Sequence, residues 1–363
     1  MGVNRHLDHL YVVIMAGGRG ARFWPVSTKE RPKQFLPIVG PEPMIVKTFL
    51  RVSPLVPIER IFVVAGSSHF QGIKEALPGL PDSNILIEPV GRNTAACIGF
   101  AAQVLGSLDP EAVMLVLPAD HVIDREDLFR ALVIQGLDII DARDALVTFG
   151  ITPDRPETGY GYIEVSEPNQ QSSPVLSVVS FREKPDLDSA KLYLSEKRFF
   201  WNSGMFIWKS RLILQWIERL LPELSRGLNS LVEHFGKASF DDAIKSIYPS
   251  LPSVSIDYGV MEKADGVLVL PADIGWNDVG AWSTASTYWP RIGKNNVKGG
   301  AILIDSLNCA VYNLDKKVAL VGVHDVIVVV DGDSILVCAR DQAQKVKQVL
   351  DALEEIDGNM PGV

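Results

Sequence analysis

Cysteine is scarce in this sequence, and the few cysteines are scattered. Only Cys97, Cys309 and Cys338 occur among 363 residues, and such an odd, dispersed set predicts neither a disulfide framework nor a zinc cluster. The start, MGVNRHLDHL, lacks the apolar core of a signal peptide, and no apolar run approaches the roughly 18 residues that span a bilayer. We therefore expect a soluble protein in a reducing cytoplasm, with no membrane partner.

An excess of positive charge is absent as well. The formal net charge is −9 and the pI is near 5.3, which argues against nucleic acid as the main partner, because a phosphate backbone demands a basic face. Any phosphate site must therefore be local. Hydrophobic residues make up 47% of the chain, enough for a large core, and the length suggests one big domain and a small one.

The first half alternates short β-rich apolar runs with helical patterns. This alternation predicts a Rossmann-like α/β domain with a mixed, mostly parallel sheet and crossover helices. The predicted strands are YVVIM, RIFVVAG, ILIEP, VMLVLPAD and ALVTFGI, and the predicted helices are MIVKTFLRV, SHFQGIKEAL, TAACIGFAAQVLGSL and EDLFRALVIQGLDII. Ligands of such sheets collect beyond the carboxyl ends of the strands, and Gly17, Glu88 and Asp120 all fall there.

The second half has two further parts. From about Thr152, the segments TGYGYIEV, VVSFREKP and FFWNSGMFIW predict strands and turns inserted into the sheet, helices follow through Ile247, and SIDYGVMEKA, GVLVLPAD and GWNDVGAW return to a strand-and-turn pattern. Near Asn295, regularly spaced β runs predict a small C-terminal β-solenoid-like module that ends in the helix QAQKVKQVLDALEE. We place the domains at residues 1–290 and 295–363, with the boundary between Tyr288 and Gly299.

The loop behind the first predicted strand, AGGRGARFWPVSTKERPKQFL, is rich in glycine and positive charge. It matches neither the dinucleotide fingerprint nor the P-loop. Gly17, Gly18 and Gly20 would let backbone N–H groups approach phosphate oxygens, while Arg22 offers a fork of donors and Lys33 a point charge. Such a loop suits a triphosphate. The alternative is that the glycines only form a turn with two surface cations nearby.

Seven motifs occur in order over about Val12 to Trp282: AGGRGARFWPVSTKERPKQFL, EPVGRNTAACIGFAA, LPADHVI, FREKP, WNSGMFIW, SIDYGVMEK and GWNDVGAW. Together they resemble the motifs of mannose-1-phosphate guanylyltransferases, which are sugar nucleotidyltransferases. Ala96 stands where the family often has proline, and Asn277 where serine is frequent. The C-terminal portion is similar to the short β-solenoid tail of the single-function enzymes.

The resemblance implies a metal-assisted transfer of a guanylyl group from GTP to mannose 1-phosphate, with release of pyrophosphate. Catalysis would consist mainly of positioning and of cations that hold developing charge, with Mg²⁺ as cofactor. Asp120 and Asp278 each end an apolar run, and the resemblance implies that they hold the metal beside the α-phosphate. Alternatively, either aspartate caps a helix. For His121 we expect packing, since an ionised sugar phosphate needs no base.

The resemblance also suggests residues for GTP and for the sugar. Glu88 offers guanine an acceptor, and Asn93 combines amide contacts with a structural role as a helix N-cap, while the role of Arg92 stays open.

For the sugar phosphate the implied residues are Lys184 as phosphate anchor, Glu183 and Asn202 for hydroxyls, Gly161 for close backbone approach, and Asp257 with the Glu262–Lys263 pair along the pocket. Lys184 could equally be an exposed turn lysine, and Glu262–Lys263 a solvated ion pair. Trp201, Phe206 and Trp208 alternate with period two and are expected in the core.

Two other functions compete with this one. A nucleotide-sugar-dependent glycosyltransferase would usually show a DxD pair, whereas PADHV has one aspartate followed by histidine. A non-catalytic paralogue would tend to lose the loop cations or the metal ligands, all of which are present. The run Val326–Val330 of the tail is too apolar to face water throughout. Together with the tendency of the resembled family to associate through this region, it suggests that the C-terminal module makes a homodimer contact. The alternative is that the module docks on the main domain of the same chain. The catalytic crevice itself is expected to lie entirely upstream of the tail.

Overall fold

The computed structural model describes residues 5–18, 20–166 and 175–359. The strands of the first domain are β1 (Leu10–Met15), β2 (Ile61–Gly66), β3 (Ile85–Glu88), β4 (Val113–Pro118), β5 (Val122–Ile123), β6 (Val147–Ile151), β7 (Tyr162–Val165), β8 (Leu176–Arg182), β9 (Phe199–Lys209), β10 (Leu268–Ala272) and β11 (Trp276–Asn277). Those that follow are β12 (Arg291–Ile292), β13 (Asn295–Gly299), β14 (Ile302–Ile304), β15 (Ala310–Asn313), β16 (Ala319–Val321), β17 (Val326–Asp331) and β18 (Ser334–Ala339).

The α-helices are α1 (Met44–Val52), α2 (Phe70–Ala76), α3 (Asn93–Leu108), α4 (Glu126–Ala142), α5 (Leu187–Glu196), α6 (Ser210–Leu220), α7 (Pro222–Val232), α8 (Phe240–Ile247), α9 (Trp282–Ala285) and α10 (Lys347–Asn359). Among the residues described, no helix combines the length and the apolar character needed to cross a membrane.

A nine-stranded sheet organises the first domain, in the order β3-β2-β1-β4-β9-β6-β10-β8-β7. Its pairs β1–β2, β1–β4, β2–β3 and β6–β10 are parallel, and β8 and β9 run against the other strands. The predicted mixed, mostly parallel sheet is therefore confirmed. The central strands are apolar throughout because helices cover both faces of the sheet.

The two faces of the sheet form two separate cores. Buried residues of α1, α2 and α4 pack on one face, and those of α3, α6, α7 and α8 pack on the other. With both faces covered, the polar loops at the carboxyl ends of β1, β3 and β4 remain as the open crevice of the domain.

One predicted segment differs in type. The pattern of SIDYGVMEKA predicts strand and turn, but Asp257–Met261 forms a single π-helical turn. The backbone N–H of Gly259 bonds to the carbonyl of Ser255 at 2.8 Å, and the N–H of Glu262 bonds to the carbonyl of Asp257 at 2.9 Å. Gly259 also lies so close to Leu221 that a Cβ atom would meet it at 2.9 Å. Packing against the end of α6 therefore overrides the local pattern.

The C-terminal module is built from parallel coils, as the predicted β-solenoid requires. Strands β13, β15 and β17 stack in parallel, and β14 pairs in parallel with β16. Side chains that point inward from the two sheets, among them Val297, Val311, Leu320 and Val328, form a small core of their own. The last helical segment begins as a 3-10 helix over Arg340–Val346 and continues as α10.

The module docks on the first domain in cis. Ile327 and Val329 of β17 pack in one cluster with Phe23 and Trp282, and Val328 and Val330 face the core of the module. All four are at most 6% exposed. The apolar run Val326–Val330 is thus covered within the chain, so its hydrophobicity gives no reason for a homodimer.

Candidate active site

A cavity of about 340 Å³ lies where the loop after β1 meets the ends of β4 and β11. Its lining contains three cations and two carboxylates, together with glycines that leave backbone exposed. The lining residues are Gly20, Ala21, Arg22, Phe23, Lys33, Asp120, His121, Asp278, Gly280 and Lys347. The four residues predicted to be catalytic, Arg22, Lys33, Asp120 and Asp278, therefore face one cavity. We call it the catalytic cavity.

Lys33 connects the two carboxylate-bearing loops. Its Nζ lies 2.9 Å from Oδ2 of Asp120 and donates a hydrogen bond to the backbone carbonyl of Asp278 at 2.6 Å. The side chain is only 6% exposed. Lys33 is consequently no surface cation, and that alternative is wrong for it. Arg22 donates more weakly, from Nη1 to the carbonyl of Gly280 at 3.4 Å.

Asp120 sits on a backbone that α1 holds from behind. The hydroxyl of Thr48 donates to the carbonyl of Ala119 at 3.2 Å, and Arg51, which is 1% exposed, donates to the carbonyl of His121 at 3.2 Å. Burial raises the pKa of Asp120, but the charge of Lys33 and its hydrogen bond to the carboxylate outweigh this effect, and the net pKa lies below the ordinary value. The carboxylate form is thus favoured.

Asp278 is held by two donors. Its Oδ1 accepts hydrogen bonds from the Tyr160 hydroxyl at 2.7 Å and from the Gly280 N–H at 3.0 Å. The alternative of a helix cap is wrong for both aspartates, because the N-cap of α4 is Arg125 and that of α9 is Ala281.

His121 packs against the catalytic cavity as a neutral ring. Burial lowers the pKa of His121 to about 4, against the opposing charge of Asp120. Nδ1 accepts a hydrogen bond from Nε1 of Trp276 at 3.1 Å, and the two rings meet edge to face at 5.2 Å. A neutral ring wedged against an indole matches the packing role expected from the sequence.

The glycines of the loop differ in what the protein itself requires of them. Gly20 has φ 62°, and a Cβ atom there would lie 2.7 Å from the backbone N of Lys33, so only glycine fits. At Gly18 a Cβ atom would meet nothing within 4 Å, and at Gly17 only Oε2 of Glu88 at 3.5 Å. Folding therefore requires Gly20, while Gly17 and Gly18 leave open backbone at the crevice.

A second cavity, of about 380 Å³, adjoins the same loop and contains the residues predicted for guanine. Glu88, at 5% exposure, accepts a short hydrogen bond at Oε1 from the hydroxyl of Tyr248. Burial raises the pKa of Glu88, although that hydrogen bond lowers it in part. Its lining residues are Met15, Gly17, Gly18, Glu88, Gly91, Asn93, Thr94, Cys97, Pro118, Gly204, Phe206, Ile256 and Asp257. We call it the base cavity.

Asn93 borders the base cavity at the start of α3. It is the first residue of the helix, with φ 64°, and Arg92 is its N-cap, one residue earlier than predicted. The side-chain Oδ1 of Asn93 accepts a hydrogen bond from the Thr94 N–H at 2.8 Å. Its structural role is thus to close this turn, and the residue also lines the base cavity.

The residues predicted for the sugar phosphate also come together. The amide of Asn202 donates to Oδ1 of Asp257 at 2.7 Å, and its backbone N–H donates to the carbonyl of Gly161 at 2.8 Å. A Cβ atom on Gly161 would lie 3.0 Å from Oε2 of Glu183. Burial raises the pKa of Asp257, against the lowering effect of Asn202. We call these residues, with Lys184, the sugar cluster.

Lys184 is the most exposed member of the sugar cluster. Its side chain is 63% exposed, its φ is 38°, and its Nζ lies 3.2 Å from Oε1 of Glu183. This geometry matches the turn lysine before Pro185 and leaves the ammonium group accessible to a ligand.

The predicted Glu262–Lys263 pair lies at the surface, because both residues are exposed. Nζ of Lys263 lies 4.6 Å from the centroid of the Tyr258 ring.

The three aromatic residues expected in the core are there. Trp201, Phe206 and Trp208 are at most 2% exposed. The rings of Phe206 and Trp208 stack at 4.9 Å. This confirms that their alternation in the sequence reflects packing.

Three residues at the catalytic cavity were not among those predicted from the sequence. Tyr160 holds Asp278, Arg51 holds the backbone beside Asp120, and Lys347 comes from the C-terminal module. The expectation that the crevice is built entirely upstream of the tail is therefore wrong. A tyrosine between two glycines in TGYGY was the one available signal for Tyr160. Nothing local marks Arg51 or Lys347.

Comparisons with known proteins give matches over almost the whole chain. A family model described as Nucleotidyl transferase matches residues 11–290, and one described as MannoseP isomerase/GMP-like beta-helix domain matches residues 299–353. The xanthan biosynthesis protein XanB of Xanthomonas campestris pv. campestris (strain B100) is 39% identical over 347 residues, covering 94% of this chain and 73% of that protein.

Two further relatives bear on the activity and the fold. A mannose-1-phosphate guanylyltransferase of Escherichia coli (strain K12) is 37% identical over 353 residues, covering 95% of this chain and 73% of that protein. The crystal structure of a Thermus thermophilus protein, described as a mannose-1-phosphate geranyltransferase, matches with a TM-score of 0.85 at 32% identity, covering 95% of this chain and 99% of that chain.

Proposed function

The chain belongs to the nucleotidyl transferase family, and from that premise we propose that it transfers the guanylyl group of GTP to mannose 1-phosphate, with GDP-mannose and pyrophosphate as products. Relatives named mannose-1-phosphate guanylyltransferase are 36–37% identical over most of the chain, and the resemblance seen in the seven motifs is confirmed. The observation that carries the chemistry is the catalytic cavity, where Asp120 and Asp278 face Arg22 and Lys33.

The reaction is a single displacement at phosphorus. A phosphate oxygen of mannose 1-phosphate forms a bond to the α-phosphorus of GTP, the bond from that phosphorus to the bridging oxygen breaks, and its electron pair leaves with pyrophosphate. Because both reactants are anions, the protein must neutralise charge and hold the two in line. Arg22 and Lys33 supply positive charge beside the carboxylates, and no protein nucleophile is needed.

Magnesium is part of this proposal, and the carboxylates fit it. Oδ2 of Asp120 contacts Lys33, and Oδ1 of Asp278 accepts a hydrogen bond from Tyr160. Oδ1 of Asp120 and Oδ2 of Asp278 have no hydrogen bond to another residue in the part of the chain that the structure describes. Among the residues described, no group of three or more His, Cys, Asp or Glu side chains is placed to hold a metal ion by protein ligands alone. The proposed site has two carboxylates, so the other ligands of the ion would come from the substrate and from water. Two carboxylates completed by phosphate oxygens and water are what Mg²⁺ prefers. When bound, the ion would neutralise charge on the phosphates.

The base cavity is proposed to hold the nucleoside of GTP. Glu88 would accept hydrogen bonds from guanine N1–H and its amino group, and Asn93 would add amide contacts. Because the fold itself does not require glycine at Gly17 or Gly18, close approach of the ligand to this backbone explains both. Gly20 completes the loop that carries Arg22 toward the phosphates.

The sugar cluster is proposed to hold mannose 1-phosphate. Lys184 would anchor the phosphate, and Glu183, Asn202 and Asp257 would bind hydroxyl groups. Support comes from the hydrogen bond between Asn202 and Asp257 and from the nearness of Gly161 to Glu183. Asp257 lines the base cavity as well, which brings the cluster next to the nucleotide.

Two wider statements also stay proposals. A homodimer through the C-terminal module is supported by the outward side chains of β14 and β16. Ile302, Ile304 and Val321 are 60%, 50% and 61% exposed. A monomer in light scattering at micromolar concentration would rule the homodimer out.

A cytoplasmic location is supported by GTP as substrate and by three free cysteines. Recovery of the protein in another cell fraction would rule this location out.

The direct test is pyrophosphate release over a matrix of sugar 1-phosphates and nucleoside triphosphates with Mg²⁺. We expect the largest kcat/KM for GTP with mannose 1-phosphate. A higher value for another pair would reassign the substrates. Release that does not depend on any sugar phosphate would contradict guanylyl transfer itself.

A further inference from the structure

Lys347 belongs to the C-terminal module but lines the catalytic cavity. It is the first residue of α10, it is exposed, and it shares the cavity with Arg22, Lys33, Asp120 and Asp278. The module therefore contributes a charged side chain to a site whose other charged residues all come from the first domain.

The position of Lys347 is fixed by the packing that precedes it. Ala343 and Val346, at 2% and 4% exposure, belong to the same cluster as Phe23 and Trp282. Phe23 ends the 3-10 turn Ala21–Phe23, which carries Arg22. One buried cluster thus holds both the turn with Arg22 and the start of α10, so that the two cations are presented to one cavity from two sides.

The ammonium group of Lys347 is unengaged within the part of the chain that the structure describes. It has no ion-pair or hydrogen-bond partner among those residues, whereas Lys33 is taken up by Asp120 and by the carbonyl of Asp278. Three cations and two carboxylates line the cavity, and the third cation is Lys347. A lysine that buried neighbours keep at a cavity with one more cation than carboxylates is suited to an anionic ligand.

The order of groups along the crevice identifies which anion this is. The base cavity, with Glu88, lies on one side of the loop after β1, and it also contains Asp257 of the sugar cluster. The catalytic cavity contains no member of the sugar cluster. If the nucleoside and the sugar lie on the side of Glu88, the part of GTP that extends past the carboxylates toward Arg22 and Lys347 is its β- and γ-phosphates.

We propose that Lys347 binds the β- and γ-phosphates of GTP, and hence the departing pyrophosphate, together with Arg22. This inference rests on the proposed function. It makes the C-terminal module a part of the nucleotide site, so that docking of the module completes the binding of the leaving group.

The test compares Lys347→Ala with Lys345→Ala, an exposed lysine two residues earlier that does not line the cavity. In the reverse reaction, from GDP-mannose and pyrophosphate, Lys347→Ala should raise KM for pyrophosphate about tenfold, as loss of a hydrogen bond to a charged group does. KM for GDP-mannose should stay within about twofold, and the loss should shrink at high salt. Lys347→Arg should restore most of the affinity, and Lys345→Ala should behave as the wild type.

A structural role would give a different result. It would lower the melting temperature, or raise KM for both substrates together, and either outcome without a selective effect on pyrophosphate would overturn the proposal. An unchanged KM for pyrophosphate in Lys347→Ala would overturn it as well.

Direct titration of inorganic pyrophosphate with Mg²⁺ by calorimetry separates this proposal from the proposed function. If the wild type binds pyrophosphate but makes no GDP-mannose, the proposed function fails, and Lys347 is still judged by whether its alanine variant binds about tenfold more weakly. Equal binding by the two proteins, or no binding by the wild type, would overturn the role of Lys347.

Discussion

The hydroxyl of Tyr160 donates a hydrogen bond to Oδ1 of Asp278 at 2.7 Å. The tyrosine ring is held by edge contacts to Trp201 and Trp276, each with ring centroids 5.2 Å away. This bond fixes one oxygen of a carboxylate that the proposed mechanism assigns to Mg²⁺. Tyr160 is therefore a positioning residue, because it acts through Asp278.

Tyr160→Phe should accordingly keep the fold and impair the metal site. The ring contacts survive, so the melting temperature should change little, while kcat falls about tenfold and the Mg²⁺ concentration for half-maximal rate rises, as for the loss of an outer partner of a metal ligand. A Mg²⁺ titration of the initial rate measures this. Tyr193→Phe, on a ring that stacks on Phe199 at 4.2 Å, is the matched control. An unchanged Mg²⁺ dependence in Tyr160→Phe would remove Tyr160 from the site.

Gly18 and Gly20 form a second matched pair. Gly20→Ala should destabilise the protein or distort the loop, because φ is 62° and Cβ would clash with Lys33. Gly18→Ala has open space, so it should melt as the wild type does and yet raise KM for GTP. Thermal unfolding and GTP kinetics on both variants decide the matter. A Gly18→Ala enzyme with normal KM for GTP would contradict close approach of the nucleotide at this position.

The raised pKa of Glu88 predicts a pH effect on GTP binding. A protonated carboxyl group offers guanine fewer acceptors, so KM for GTP should rise as the pH falls toward that pKa. Neighbouring Tyr248 and Cys97 also have raised pKa values, so both stay uncharged in this range. Glu88→Gln should show a high KM for GTP. The ratio of its KM to that of the wild type should decrease as the pH is lowered, because the wild type then loses its acceptor too. A constant ratio would contradict the role of Glu88 as acceptor.

The same shift has a defined sign for stability. Between the ordinary value of 4.5 and the raised pKa of Glu88, the folded chain binds more protons at this group than the unfolded chain does. The contribution of Glu88 to the free energy of unfolding therefore falls as the pH rises through that window. GTP binding and stability thus depend on this carboxyl group in opposite directions.

The parts of the site that the sequence predicted are those at strand ends. Asp120 and Glu88 directly follow apolar runs, and in a parallel sheet such positions converge without further information. Gly20 could be singled out because glycine-rich turns after a first strand leave a local mark. The alternation of Trp201, Phe206 and Trp208 likewise reported burial through period alone.

The remainder depended on contacts between distant segments. Lys33 bonds to Asp278 across 245 positions of sequence, and no local pattern encodes that distance. For the same reason, the sequence leaves a surface position open for Lys33 and gives no sign of Lys347. The π-helical turn at Asp257–Met261 arises from packing of Gly259 on Leu221, which overrides a local sequence that resembles strand and turn.

The central claim is that Asp120 and Asp278 support guanylyl transfer to mannose 1-phosphate, and chromatography of the products tests it most directly. With GTP, mannose 1-phosphate and Mg²⁺, the wild type should form GDP-mannose and pyrophosphate in equal amounts. Asp120→Asn and Asp278→Asn, which keep shape but remove charge, should fold and yet turn over about 10²–10³-fold more slowly. A wild type that makes no GDP-mannose, or both variants at near-normal rates under limiting Mg²⁺, would contradict the account.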